Sequence, residues 1–175
     1  GAALLAAGAA SLLVAAVSKH GSSAGVAKPG CRALAAIARE SDDARAQLSS
    51  AGATAAALDA LRHHSGDAAT VFTALSALSW LANVSGDRAT LGSPSGVAAV
   101  ARALRQHPGD ADVACGAAWV LDRLVLDAPC GAALLAAGAA SLLVAAVNKH
   151  GSSAGVAKPG CRALRLLSQG DNALL

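Results

Sequence analysis

The chain contains no tyrosine and no methionine, and only one phenylalanine and two tryptophans among its 175 residues. Pleated sheets draw on aromatic and β-branched side chains to fill their surfaces, so this scarcity argues against a β-sandwich. The apolar content, 54% of residues, rests instead on Ala, Leu and Val, the material of close-packed helices. Charge is also sparse. Charged residues make up 14% of the chain and the net charge is +3, dispersed along the sequence. A nucleic-acid binder needs a basic stripe or stacking aromatics, and neither is visible.

Other absences narrow the function further. The four cysteines, Cys31, Cys115, Cys130 and Cys161, form no Cys-x-x-Cys pair and have no His at zinc-ligand spacing, so buried free thiols in a reducing compartment are expected, with no metal and no cofactor. The uncharged runs Gly1–Val17 and Gly131–Val147 fall short of the roughly 20 residues of a membrane span. Both are dominated by Ala and broken by Gly and Ser, and the first lacks the charged leader of a signal peptide. No membrane association is therefore expected. The missing secretory signal and the free thiols point to the cytoplasm or the nucleus. Phosphate-binding glycine patterns are missing. The segment Gly92-Ser93-Pro94-Ser95-Gly96 has Pro where a nucleophile elbow needs its nucleophile, and no strand precedes it, so it reads as a loop. No carboxylates pair for acid–base work, and Asp42, Asp43 and Asp67 read as helix-start residues. Asn83-Val84-Ser85 fits a glycosylation pattern but falls inside an expected helix. Neither an enzyme nor a small-molecule substrate is indicated.

What the chain has in abundance is repetition. Gly1–Leu34 returns at Gly131–Leu164 with one change, Ser18 to Asn148. Gly8, Gly52, Gly96 and Gly138, which precede the long apolar runs, mark a period of 42 to 44 residues. Leu34, Leu78, Leu121 and Leu164 keep almost the same step, as do Ile37, Leu81, Leu124 and Leu167. An i, i+3 apolar pair held in register four times marks a helix burying one face.

Each unit reads as three helices. The first is expected to hold a short helix to Ala7, a second over 9–20 and a third over 26–39. The second holds helices over 42–50, 54–64 and 68–84, with Asp67 as N-cap. In the third, a weak helix over 87–91 precedes helices over 97–106 and 111–126, the last capped by Asp110; the fourth repeats the first, its short helix at 131–137. Pro29 and Pro159 would start the regular part of their helices, since an interior proline removes a backbone bond. The resulting units are 1–40, 41–85, 86–127 and 128–169, within one domain, and 170–175 would begin another. The histidines recur once per unit at the end of the second helix, as His20, His64, His107 and His150, with His63 beside His64. There they suit the negative end of the helix dipole, with a glycine or turn following.

These residues resemble the armadillo-repeat family over nearly the full length of the chain. The resemblance rests on Ala-Gly-Ala before the second helix, at 7–9, 51–53 and 137–139, and on Gly-Cys-Arg-Ala-Leu-x-x-Ile/Leu at 30–37 and 160–167. HEAT repeats, two-helix units of similar length, are the second match; the extra short helix favours armadillo. The resemblance implies an all-α, right-handed α-solenoid of about four three-helix repeats, acting without catalysis as a protein-interaction or scaffold module. In that family the third helices line a groove, often with an Asn ladder. The aligned ladder positions here are Ala36, Trp80, Arg123 and Leu166, so the grip on a peptide backbone through Asn is not carried over. One turn earlier stand Arg32, Ser76, Trp119 and Arg162, of which Trp119 keeps the family residue.

The candidate partner-binding residues are thus Arg32, Ser76, Trp80, Trp119, Arg123, Arg162 and Arg165. Arg and Trp dominate binding hot spots through planar hydrogen bonding and rigid contact area, so the expected partner is an acidic or apolar segment of another protein. The same residues admit a structural reading, with the tryptophans filling space between units and the arginines solvated. A purely structural spacer and an RNA-binding helical array are the rival functions; base-reading side chains for the latter are missing. Neither end carries a polar cap, so the chain is expected to belong to a longer array or larger assembly. Leu12, Leu13, Leu174 and Leu175 would then lie near faces that another unit or protein covers.

Overall fold

A computed structural model describes residues 8–171, among which there are eleven α-helices and no strand. The short helix expected before Ala7, and Leu174 and Leu175, lie outside the described residues. In chain order the helices are α1 (Ala9–His20), α2 (Ala24–Ala38), α3 (Asp42–Ser50), α4 (Ala53–His63), α5 (Ala68–Leu81), α6 (Ser85–Leu91), α7 (Pro94–Gln106), α8 (Ala111–Leu124), α9 (Ala128–Ala136), α10 (Ala139–His150) and α11 (Ala154–Asp171).

Two rows of helices run through the molecule. In one, α2 packs on α5, α5 on α8 and α8 on α11; in the other, α1 packs on α4, α4 on α7 and α7 on α10. Within each antiparallel pair the rows touch, α1 on α2, α4 on α5, α7 on α8 and α10 on α11. The shared core between the rows is built of Leu34, Leu61, Leu78, Leu121 and Leu143, among others, all inaccessible or nearly so. Helix α5 is apolar nearly all round because it is covered on three sides, by α2, α4 and α8.

Local chemistry sets the boundaries. Gly8, Gly52 and Gly138 take positive φ values of 76°, 86° and 67° at the entries to α1, α4 and α10, a left-handed turn that glycine enters without steric cost. Asp67 accepts from the Ala69 and Thr70 amides and caps α5, and Asp110 accepts from those of Asp112 and Val113 and caps α8. Ser41 caps α3 in the same way. Arg45 on α3 donates to the carbonyl of Ala38, the last residue of α2, and Arg88 on α6 to that of Ala82, the residue that directly follows α5.

Several boundaries differ from the sequence expectation. Gly92–Gly96 is not all loop, because Ser93 accepts from the Gly96 amide and Pro94 opens α7 at its first position, where a missing N–H costs nothing. Gly96 therefore sits inside a helix, unlike the other three period-marking glycines. Helix α5 ends at Leu81, not Val84, and α8 at Leu124, so Asn83 lies in a turn with its side-chain amide donating to the Trp80 carbonyl at 2.8 Å. Pro29 and Pro159 do not open their helices: α2 and α11 begin five residues earlier, at Ala24 and Ala154. Only the first turn lies upstream of each proline, so one backbone bond is given up.

The duplicated stretch occupies two settings, which shows what each of its faces does. In α1 and α2 it is covered by α4 and α5; there Val14, Val17, Cys31 and Leu34 are buried, while Leu13, Val26, Ala33 and Ile37 are half-covered. In α10 and α11 it lies against α7 and α8, and the pattern inverts: Leu143, Val156, Ala163 and Leu167 are buried, while Val144 and Cys161 are exposed. The expectation of a buried thiol thus fails at Cys161 because nothing among the described residues packs over it.

Among the described residues no single helix is long and apolar enough to cross a membrane; one pair, Pro129–Ala136 with Ala139–His150, has the composition but bends by 78° at its break.

Candidate partner-binding cleft

The α5–α8 contact is close because Gly116 faces Leu75. A Cβ placed on Gly116 would come within 2.9 Å of the Leu75 Cβ, so the missing side chain lets the two helices approach. Along one edge of this contact the side chains diverge and leave a cleft of about 380 Å³. Its walls are the half-buried Trp80 and Phe72 of α5 and Trp119 of α8, and its rim carries Ser76, Ser79 and Arg123. The Arg123 guanidinium lies over the Trp119 ring, 5.8 Å from its centroid. Such stacking orients the cation and contributes roughly 0.5–1 kcal/mol at a partly exposed site. Among the described residues no carboxylate pairs with Arg123.

The structure brings four of the seven residues expected from the sequence, Ser76, Trp80, Trp119 and Arg123, to this one cleft. Phe72 and Ser79, which the sequence reading did not single out, join them, as does Cys115, expected there only as a buried thiol. Phe72 is the chain's one phenylalanine and lies a turn from Ser76 on the expected groove face, a signal that the aligned positions passed over. The Cys115 thiol is pushed above its ordinary value by burial and donates to the Gly155 carbonyl at 3.3 Å, which marks it as a packing group.

The other three do not join the cleft. Arg32 is exposed on α2. Arg162 is committed elsewhere: its Nε and Nη2 form a forked pair with both oxygens of Asp122, a carboxylate with no accessible surface. The hydrogen bonds to Asp122, and then its charge, raise the Arg162 pKa, as a bidentate ion pair does. This arginine therefore joins α11 to α8 and is not open to an acidic partner. Arg165, exposed, donates to Gln169 at 3.4 Å.

The histidines are placed at helix ends as expected but act over a longer range. His64 Nε2 meets the Gly21 carbonyl at 2.7 Å, His107 Nε2 the Ser65 carbonyl at 2.7 Å, and His150 Nε2 the Pro108 carbonyl at 3.1 Å. Each accepting residue directly follows the corresponding position of the preceding helix pair. A carbonyl only accepts, so Nε2 carries the hydrogen in all three. The series staples one turn to the next along the α1–α4–α7–α10 row. His63 instead bonds a carbonyl of its own helix, that of Asp59 at 2.8 Å.

No known family profile matches the chain, and no curated protein matches it. Among solved structures, the crystal structure of an engineered protein is similar in fold, with a TM-score of 0.81 at 24% identity over 96% of this chain. The match spans 66% of that engineered protein. At this identity the likeness concerns the all-helical fold alone.

Proposed function

We propose that the chain is a non-catalytic protein-interaction scaffold, an armadillo-type solenoid of about four three-helix units in one domain, whose third helices are α2, α5, α8 and α11. The observation that carries this reading is the α5–α8 cleft, where two tryptophans, a phenylalanine and an arginine with no ion-pair partner among the described residues converge on a surface with few competing charges. Large rigid rings beside an oriented guanidinium suit a segment that presents an apolar side chain next to a carboxylate. Nothing about this site calls for a cofactor, a small-molecule substrate, a nucleic acid or a membrane, and its setting would be the cytoplasm or nucleus.

The test is a selection of displayed random peptides on the intact chain. Acidic–apolar peptides should be enriched, and Trp119→Ala or Arg123→Glu should weaken the winners about tenfold or more while leaving the thermal midpoint little changed. Winners that lack acidic residues and bind the variants equally well would sink the reading. A structural spacer is the second reading, favoured by the exposed Leu12 and Val144 on opposite end faces.

A further inference from the structure

The two end faces of the described chain are the two faces of one sequence, and the interior shows each of them covered. The face left open on α10 and α11 carries Val144 and Cys161, whose equivalents Val14 and Cys31 are buried under α4 and α5. The face left open on α1 and α2 carries Leu12, 72% exposed, with Leu13, Val26 and Ile37; in the second copy Leu143, Val156 and Leu167 of that face are buried against α7 and α8. We infer that a second copy of this chain docks head to tail, its α1–α2 face on the α10–α11 face of the first, by the contact that already joins successive helix pairs.

Three features argue for this occupant. First, the face that α4 and α5 lay on α1 and α2 carries Ala57, Thr70, Ala77 and Leu81 at the positions where α1 and α2 themselves carry Leu13, Val26, Ala33 and Ile37. The two sets are apolar or isosteric, position by position, so the α1–α2 face can replace the α4–α5 face on the same sequence. Second, the histidine staple has one unused member at each end. His20 aligns with His64, His107 and His150, and the Gly151 carbonyl aligns with those of Gly21, Ser65 and Pro108; neither has a side-chain staple partner among the described residues. Third, two of the three large apolar side chains most exposed among the described residues, Leu12 and Val144, lie on these faces, and apolar surface of this kind marks contact sites.

One pair opposes the contact and makes it adjustable. Arg32 occupies the position of Arg162, so it would reach for the equivalent of Asp122, which in the neighbouring copy is Arg165. Both arginines are exposed, so their repulsion is screened by salt. The contact should therefore be weak, strengthen with ionic strength, and tighten when Arg165 is made acidic. The groove tryptophans take no part in it, so Trp80→Ala and Trp119→Ala leave it intact even where they abolish peptide binding.

Sedimentation velocity across a concentration series tests the inference. The wild-type chain should grow into open-ended oligomers as its concentration rises, and Arg165→Asp should lower the concentration needed by about five- to tenfold. Leu12→Asp and Val144→Asp, both at exposed positions, should each hold the chain at the mass of one copy, weakening association about a hundredfold. An equimolar mixture of these two variants has one intact contact and should stop at a dimer, in which Cys161 of the Leu12→Asp chain alone becomes protected from alkylation. A wild-type chain that keeps the mass of one copy at every concentration and salt overturns the inference in favour of a different chain as occupant. Single variants that associate like the wild type, or a mixture that yields no dimer, overturn it as well.

Discussion

A histidine that recurs at the end of a helix has a local explanation in the helix dipole, and the structure adds a longer-range one. His64 and His107 hold carbonyls some 42 or 43 residues back in the chain, so each is a fastening between neighbouring pairs. A net hydrogen bond contributes roughly 0.5–1.5 kcal/mol. His107→Ala should therefore lower unfolding stability by about 1 kcal/mol in urea denaturation, and His20→Ala, with no staple partner among the described residues, should leave the dilute chain unchanged. The once-per-unit recurrence was legible in the sequence. What it did not contain was direction, because an imidazole at a helix end can reach either its own last turn or the loop beside it.

The cysteines give a second residue-scale contrast. Cys31 and Cys161 have identical neighbours in sequence, yet burial pushes the Cys31 thiol up to about 11 while Cys161 is exposed. Since the thiolate is the nucleophile, a maleimide at pH 8 should label Cys161 promptly and reach Cys31 only at the rate of unfolding, as peptide mapping after timed quenching would show. The sequence could not separate the two, because their difference lies wholly in which neighbour packs above.

At the scale of elements, periodicity and caps were the legible part. Helices α1 and α3 match the expected spans, and Asp67 and Asp110 cap α5 and α8 as expected, since an N-cap is written within a few residues. The Asp67 carboxylate is held below its ordinary value near 3.8, first by its bond from the Thr70 hydroxyl. Its contribution is present in full above that value and fades as pH falls through the lower folded value. The stability gap between wild type and Asp67→Ala should accordingly be constant near neutrality and narrow below pH 3.8 in acid-unfolding titrations. Pro29 was misjudged because five residues upstream suffice for a helical turn before it. Gly96 was misaligned because spacing alone cannot tell a left-handed turn from a glycine admitted for closeness, here to the Leu91 carbonyl.

Gly116 belongs to the same scale. A methyl group there would press on Leu75, and overpacking of this kind costs roughly 1–3 kcal/mol. Gly116→Ala should lower stability by that amount and widen the gap between α5 and α8. A drop in the denaturation midpoint together with weakened peptide binding would show that the helix approach and the cleft share one cause.

For the whole molecule, the Ala-, Leu- and Val-rich composition and one apolar pair repeated in register made the all-α fold legible, whereas the packing of the helices into two rows was not written in either. The cleft was half legible. Ser76, Trp80, Trp119 and Arg123 could be aligned to one face, but Arg162 reads as equally open in the sequence, whereas in the structure Asp122, from the neighbouring helix, holds two of its three guanidinium nitrogens. Which arginine remains free is a property of packing between elements, and composition does not encode it.

The central claim, that the α5–α8 cleft receives an acidic–apolar segment, can be read from the chain's only two indole N–H signals. In a proton–nitrogen correlation spectrum titrated with an extended peptide of alternating Asp and Leu, both the Trp80 and Trp119 indole resonances should move together and saturate. In Arg123→Glu they should barely respond. Indole signals that stay fixed while backbone resonances elsewhere shift to saturation would contradict the account.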